Sequence, residues 1–229
     1  MTFLTLDFKG VIAGLLLAVA FLIAGGSLGI FFIAVMLYFL IVSAMVTHIG
    51  KEPKKALHLY QKSRSMRNVA ANGIPPLIFA VLFGIAKSSG AHPMLMMASI
   101  VGLVASIAAV TADKFSSEVG VLDGTPKSIV SMKEVKKGVS GGITGLGLAS
   151  GLAGAMLISL VLAVLPFSYG ILIPDFVAII VIVAGFLGTI IDSYLGFFEE
   201  KGIGTKYTTN FLCGIGGGII GLLLYLLIA

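Results

Sequence analysis

The sequence predicts an all-α polytopic membrane protein of about seven transmembrane helices. Of its 229 residues, 58% are hydrophobic and only 11% are charged, whereas a soluble domain carries roughly a quarter charged residues. The mean hydropathy is +1.12, so lipid replaces water around most side chains and backbone bonding must close within helices or a barrel. The apolar runs are long and lack period-two alternation, which selects helices.

A span needs about 20 apolar residues, and that ruler places seven of them at 3–24, 28–49, 69–86, 93–112, 139–165, 171–198 and 211–229. Only Gly25-Gly26-Ser27 separates the first two, which predicts a tight hairpin. The third is short and holds Pro75-Pro76, a pair that predicts a broken or re-entrant element. The sixth is long, so its last turns near Asp192 are expected to emerge into water or a polar cavity. Asp7 and Lys9 precede the first run without a basic signal-peptide region, so that run is expected to stay as a span. Cys213 is the single cysteine and lies in an apolar segment, so there is no disulfide framework.

The chain reads as one membrane domain, 1–229, with a basic connection at 50–68, a motif loop at 113–138 and a further loop at 199–209. Of the fifteen Lys and Arg residues, all but Lys87 fall on one side of the seven spans. By the positive-inside rule that side is cytoplasmic, with the N-terminus inside and the C-terminus outside. In so apolar a chain the net charge of +5 marks topology and lipid-phosphate contacts, and no nucleic-acid partner is expected.

Every unusual polar stretch falls on the basic side. TADKFSSEVG at 111–120 places Asp113 and Glu118 at the end of an apolar run, where carboxylates are costly to desolvate unless they pair, bind metal or meet substrate. A helical continuation puts Asp113, Ser116 and Ser117 on one face. Asp192 ends the sixth span at equal depth, next to Ser193 and Gly196. Carboxylates and hydroxyls suit a hard divalent ion such as Mg²⁺, which takes oxygen ligands and bridges to phosphates, so Asp113, Glu118 and Asp192 are the candidate catalytic and metal-binding acids. The bland alternative is an interfacial cap with Asp113 paired to Lys114.

Phosphate-binding candidates surround these acids. In the basic connection, Arg64 and Arg67 stand one helical turn apart and suit phosphate, although such a run also serves simply as a solvated, topology-fixing loop. Asn68 and Asn72 suit either helix capping or a ligand contact. KKGVSGGITGLG at 136–147 reads as Lys137 leading into a glycine-rich helix start, where backbone N–H groups favour an anion, with Gly141, Gly142 and Thr144 at its first turn. It lacks the P-loop order. Gly145, Gly147, Gly151 and Gly154 suit close helix packing. Glu199, Glu200, Lys201 and Lys206 read mostly as solvated charge, and Asn210 opens the last, glycine-rich helix. The order of apolar span, Asp with Ser and Gly, charged loop and glycine-rich helix occurs twice, which suggests a parallel internal repeat.

These parts fit phosphoryl transfer, in which cations neutralise phosphates and carboxylates hold metal or position the nucleophile. They point to a membrane kinase or transferase acting on a lipid phosphate or lipid alcohol. TADKFSSEVG, GGITGLG, IIDSYLG and RNVAANG, in that family's order from about residue 67 onwards, resemble the polytopic membrane family that includes plant phytyl-phosphate kinase. The family is more distantly similar to CTP-using phytol and dolichol kinases. The resemblance implies transfer of the terminal phosphate of a nucleotide, CTP favoured, to an isoprenoid monophosphate, with membrane lipid around the tail. It further implies roles for Asp113, Ser117, Glu118, Thr144, Asp192, Ser193, Gly196 and Asn210, while Lys114 is a departure that suits contact with phosphate. Two rival expectations are a polyprenol kinase acting on the free alcohol and an ion-coupled transporter, which also uses boundary carboxylates and broken helices.

Overall fold

The structure is a computed structural model that describes residues 6–60 and 64–229. The expected start of the first span at Phe3, and Lys62 of the basic connection, lie outside those residues. The chain is helical almost throughout. Its long elements are α1 (Phe8–Gly25), α2 (Gly29–His48), α4 (Met66–Ser88), α5 (Pro93–Gly120), α6 (Gly145–Ser159), α8 (Phe176–Glu199) and α9 (Lys206–Ile228), with short helices α3 (Lys51–Ala56) and α7 (Val164–Tyr169) between them. Two-residue strands β1 (Lys127–Ser128) and β2 (Gly142–Ile143) pair antiparallel in the connection between α5 and α6.

Among the described residues, six stretches are long and apolar enough to cross a membrane. The first, Phe8–His48, has 41 residues and at 1.5 Å per residue would run roughly 60 Å, twice the hydrocarbon core. It folds back instead at a 3-10 turn, Gly26–Leu28, which gives the expected hairpin and seven crossings in all. A Cβ on Gly29 would lie 2.8 Å from Leu22 Cα, so the two hairpin backbones pass in contact. Asp7 caps α1, accepting a hydrogen bond from Gly10 N at 2.6 Å.

Several expected boundaries move, each for a physical reason. The third span is neither broken nor re-entrant: α4 is continuous over 23 residues with Pro75 and Pro76 inside it. Its start at Met66 supplies the missing length, and the Pro75 ring is accommodated by Gly214 of α9, where a Cβ would lie 2.9 Å from Pro75 Cβ. Asn68 and Asn72 therefore sit within α4, whose N-cap is Ser65, and they cap nothing. Helix α5 runs 28 residues, roughly 42 Å, so the first part of the expected 113–138 loop is helical out to Gly120. Helix α6 begins at Gly145 with Thr144 as its N-cap, so the 138–144 stretch is a turn and strand, not a helix start. Thr205 caps α9 through a capping box with Thr208, which puts Asn210 inside the helix.

Helix α5 is the centre of the bundle. Every residue from Ala98 to Ala112 is buried, because α2, α4, α6, α8 and α9 all pack on it. In lipid, helices gain little from hiding apolar surface and associate through close van der Waals packing, which favours small residues at the seam. A Cβ on Gly188 of α8 would lie 2.4 Å from Ala109 Cβ, one on Gly217 of α9 2.5 Å from the same atom, and one on Gly221 2.5 Å from Ala105 Cβ. Cys213 is buried in this seam and unpaired.

The two stretches read as a repeat share local features. Asp113 and Asp192 each stand seven residues before the end of their helices, at Gly120 and Glu199. Four residues before each acid, Ala109 and Gly188 touch. The helices that follow both start behind a threonine N-cap, Thr144 and Thr205, whose side chain accepts from the third amide of its helix.

The α5–α8 contact leaves no room for a methyl group. Gly188→Ala is expected to lower stability by about 1–3 kcal/mol, and Ala109→Gly in the same chain should recover part of it. Thermal unfolding in detergent measures both; full stability of Gly188→Ala alone would contradict the packing.

Candidate functional site

The connections on the basic side, together with the adjoining ends of α5, α8 and α9, enclose a polar cavity of about 300 Å³. It brings together twelve of the predicted residues: Asp113, Lys114, Ser117, Glu118, Lys137, Gly141, Gly142, Thr144, Asp192, Ser193, Gly196 and Asn210 all line it. The structure does not bring Arg64, Arg67 or Asn72 into the lining. Arg67 lies over the Tyr207 ring, 5.9 Å from its centre. Asn72 Oδ1 accepts from Asn210 Nδ2 at 3.4 Å, so it stands one side chain behind the wall.

The α5–α8 seam places the carboxyl groups of Asp113 and Asp192 against each other, with the Lys206 ammonium acting on both. Asp192 Oδ1 is sealed from solvent and has no hydrogen-bond partner among the described residues. An acidic pair with an unsatisfied oxygen has the donor chemistry of a hard-cation seat. Glu118 is not part of that pair. Its Oε2 accepts from Lys54 Nζ at 2.6 Å, while Oε1 is bonded by Lys114 and lies 3.3 Å from Thr47 Oγ1. Among the described residues no three His, Cys, Asp or Glu side chains converge as a metal site, so the expected three-carboxylate set is divided. Asp113 and Asp192 share one place, and Glu118 anchors cations.

Lys54 is the main residue that sequence reasoning missed. Its side chain is 1% exposed, and it donates to Thr47 O at 2.7 Å as well as to Glu118. This locks α3 onto the ends of α2 and α5. Six residues of helix in a basic connection give no sign of which lysine turns inward. Glu199 and Lys206, expected to be solvated, also line the cavity. Glu199 lies in hydrogen-bond reach of Ser140 Oγ and Thr209 Oγ1, and Glu200 accepts from Ser140 N at 2.8 Å.

The glycine turn acts by close approach. Gly138 and Gly141 have φ of 87° and 78°, the left-handed region in which a side chain is strained. A Cβ on Gly141 would lie 2.7 Å from Phe197 N, and one on Gly196 2.7 Å from Gly141 N, so these two glycines let the turn lie directly on α8 beside Ser193. The amides that open α6 already have partners: Leu146 N donates to Asp123 Oδ2 at 3.2 Å and Gly147 N to Thr144 Oγ1 at 3.0 Å. Backbone N–H bonds from Gly124 and Leu146 hold the Asp123 carboxyl below the usual carboxylate range. Gly147 and Gly151 do pack closely, on Ser116 O and Ala112 O. Gly145, expected to do the same, faces open space.

The chain matches the family described as integral membrane protein DUF92 over residues 2–227. It belongs to that family. It is 36% identical over 203 residues to an uncharacterized membrane protein of Methanocaldococcus jannaschii, covering 86% of this chain and 77% of that one. It is 29% identical over 208 residues to the Arabidopsis thaliana protein named PGR, covering 84% of this chain and 71% of the plant protein. No solved structure matches the chain. Membership in DUF92 makes the chain an integral membrane protein, in agreement with its apolar helices.

Glu118 is buried among cations, and removing one partner of a buried pair leaves uncompensated charge. Glu118→Gln is expected to destabilise by about 3–5 kcal/mol. Lys54→Met should cost less, because Lys114 still neutralises Glu118. The Lys54→Met/Glu118→Gln double variant should show a coupling of at least about 0.5 kcal/mol, read from denaturant unfolding; strict additivity would count against the pairing.

Proposed function

We propose that the protein is a membrane phosphotransferase that moves the terminal phosphate of a nucleotide, CTP favoured, onto an isoprenoid monophosphate. The observation that carries this reading is the facing Asp113–Asp192 pair in one polar cavity with Lys54, Lys114, Lys137 and Lys206. Phosphoryl transfer asks for little covalent chemistry from protein; it asks for positioning and for cations around the phosphates. In the proposed step an acceptor phosphate oxygen forms a bond to the terminal phosphorus of the nucleotide. The bridging P–O bond breaks, and the electron pair leaves with the nucleoside diphosphate.

Asp113 and Asp192 are the residues that would hold Mg²⁺, a fit supported by the unpartnered Asp192 Oδ1. Bound there, the ion supplies charge neutralisation between nucleotide and acceptor phosphates. Lys206 stands beside the acids, and Lys114, turned toward the cavity by Glu118, offers its charge to a phosphate. The turn lying on α8 through Gly141 and Gly196 closes one wall near Ser193.

Purified protein incubated with labelled CTP or ATP, Mg²⁺ and geranylgeranyl phosphate should yield labelled geranylgeranyl diphosphate. Asp113→Asn and Asp192→Asn should each reduce the rate on the order of a hundredfold to a thousandfold without loss of folding. Label in the free alcohol alone would move the reading to a polyprenol kinase. Solute flux dependent on the two acids, with no transfer to either acceptor, would overturn it.

We further propose that the cavity faces the cytoplasm, as the charge asymmetry implies. Lys133 is exposed on the same side as the cavity, and the single native cysteine, Cys213, is buried. A Lys133→Cys variant should therefore react with an impermeant maleimide in inverted vesicles and not in intact cells; labelling of intact cells would reverse the orientation.

A further inference from the structure

A second cavity, of about 220 Å³, lies between α1, α2 and α4. Its sides are apolar, with Leu17, Ala18, Phe21, Ile33 and Met36 among them, and its polar lining is Arg64, Asn68 and Asn72. That polar end meets the wall of the polar cavity by two routes. Asn72 is hydrogen-bonded to Asn210, which lines the polar cavity. Arg64 Nη2 donates to Ser43 O at 3.2 Å and to Thr47 Oγ1 at 3.1 Å, and Thr47 Oγ1 is the hydroxyl beside Glu118.

The Arg64 guanidinium has no carboxylate of its own at this junction. Lys54 and Lys114 are both paired with Glu118, and Arg64 is near enough to feel the same carboxylate. Lys114 also has Asp113 near it, whereas Arg64 forms no salt bridge among the described residues, and burial pulls its guanidinium down from its usual range despite the offset from Glu118. Buried charge without a partner is costly, and the forked guanidinium matches phosphate oxygens. An apolar cavity with a buried guanidinium and two asparagines at one end is complementary to an apolar chain ending in a phosphate.

We propose that the α1–α2–α4 groove binds the isoprenoid chain of the phosphorylated acceptor, with its phosphate received at the Arg64, Asn68 and Asn72 end, against the polar cavity. The assignment rests on the lipid-phosphate reading of the site and adds where the acceptor lies. It gives Arg64 and Asn72 a place in acceptor binding although neither lines the polar cavity. Nucleotide and acceptor thus approach the junction from opposite sides of the Asn72–Asn210 contact.

Gly14 provides the test, because it lines the groove and a Cβ there meets nothing within 4 Å. Full-length protein in nanodiscs would be irradiated with geranylgeranyl phosphate carrying a diazirine at the chain end, and the labelled peptides read by mass spectrometry. Labelling is expected on α1, α2 or α4, competed by unmodified geranylgeranyl phosphate. Gly14→Phe should reduce it at least tenfold in a protein whose melting is retained; Ala18→Phe is a second plug should the first fail to fold. Arg64→Ala should abolish the preference for the phosphate probe over the same probe as free alcohol. Labelling elsewhere, no effect of a folded plug, or equal labelling by the alcohol and by a diazirine phospholipid would overturn the assignment. Since labelling needs neither nucleotide nor turnover, groove labelling in a protein that transfers no phosphate would sink the kinase reading alone. Phosphate transfer with the label elsewhere would sink the groove alone.

Discussion

Helix α5 has no lipid-facing side from Ala98 to Ala112, and the rest of the bundle is arranged by the closeness with which its neighbours must approach it. The permitted spacing is set by glycines against alanines: Gly188 and Gly217 on Ala109, and Gly221 on Ala105. In a bilayer this contact replaces the hydrophobic drive that assembles a soluble core. One turn beyond the Ala109–Gly188 contact, the same two helices carry Asp113 and Asp192. The packing that holds the protein together therefore also forces two carboxyl groups into one place. Larger side chains at the seam would separate the acids as surely as they would loosen the bundle.

The second constraint is electrostatic and sits where α5 outruns the hydrocarbon. The helix is roughly 42 Å long against a core of about 30 Å, so its final turns carry Lys114 and Glu118 into the layer where connections from the other helices gather. Glu118 there ties α2, α3 and α5 through Thr47, Lys54 and Lys114. The 138–142 turn is tied to α8 by glycine contact and to Glu199 and Glu200 by Ser140. The cavity is thus walled by connections that are themselves bonded to helix ends, which gives them a fixed geometry.

Much of this is legible in the sequence. Apolar runs of span length gave the seven crossings, and the sorting of fifteen basic residues put the unusual stretches on one face. TADKFSSEVG and IIDSYLG stood out because acids at the end of an apolar run need a reason to be there. Other features were not legible. Pro75-Pro76 reads as a break because a local rule says proline interrupts a helix, and the sequence does not show that α9 packs its Gly214 against the Pro75 ring of a continuous α4. The glycines at 138–142 read as a helix start because composition does not separate a glycine that opens a helix from one that lets a turn lie on its neighbour. Lys54 was one lysine among several, since nothing local marks the residue that turns inward to a carboxylate 64 positions away.

The sequence by itself determined that the chain lives in lipid, how many times it crosses, which face is basic and which acids lie at that face, because these follow from composition and span length along a single strand. Only the tertiary structure decided that Asp113 meets Asp192 while Glu118 is drawn away to Lys54 and Lys114. It also decided that the asparagines at 72 and 210 join two cavities and that Arg64 stands at the mouth of an apolar groove. Those are contacts between helices far apart in the chain, set by which small residues allow which backbones to touch.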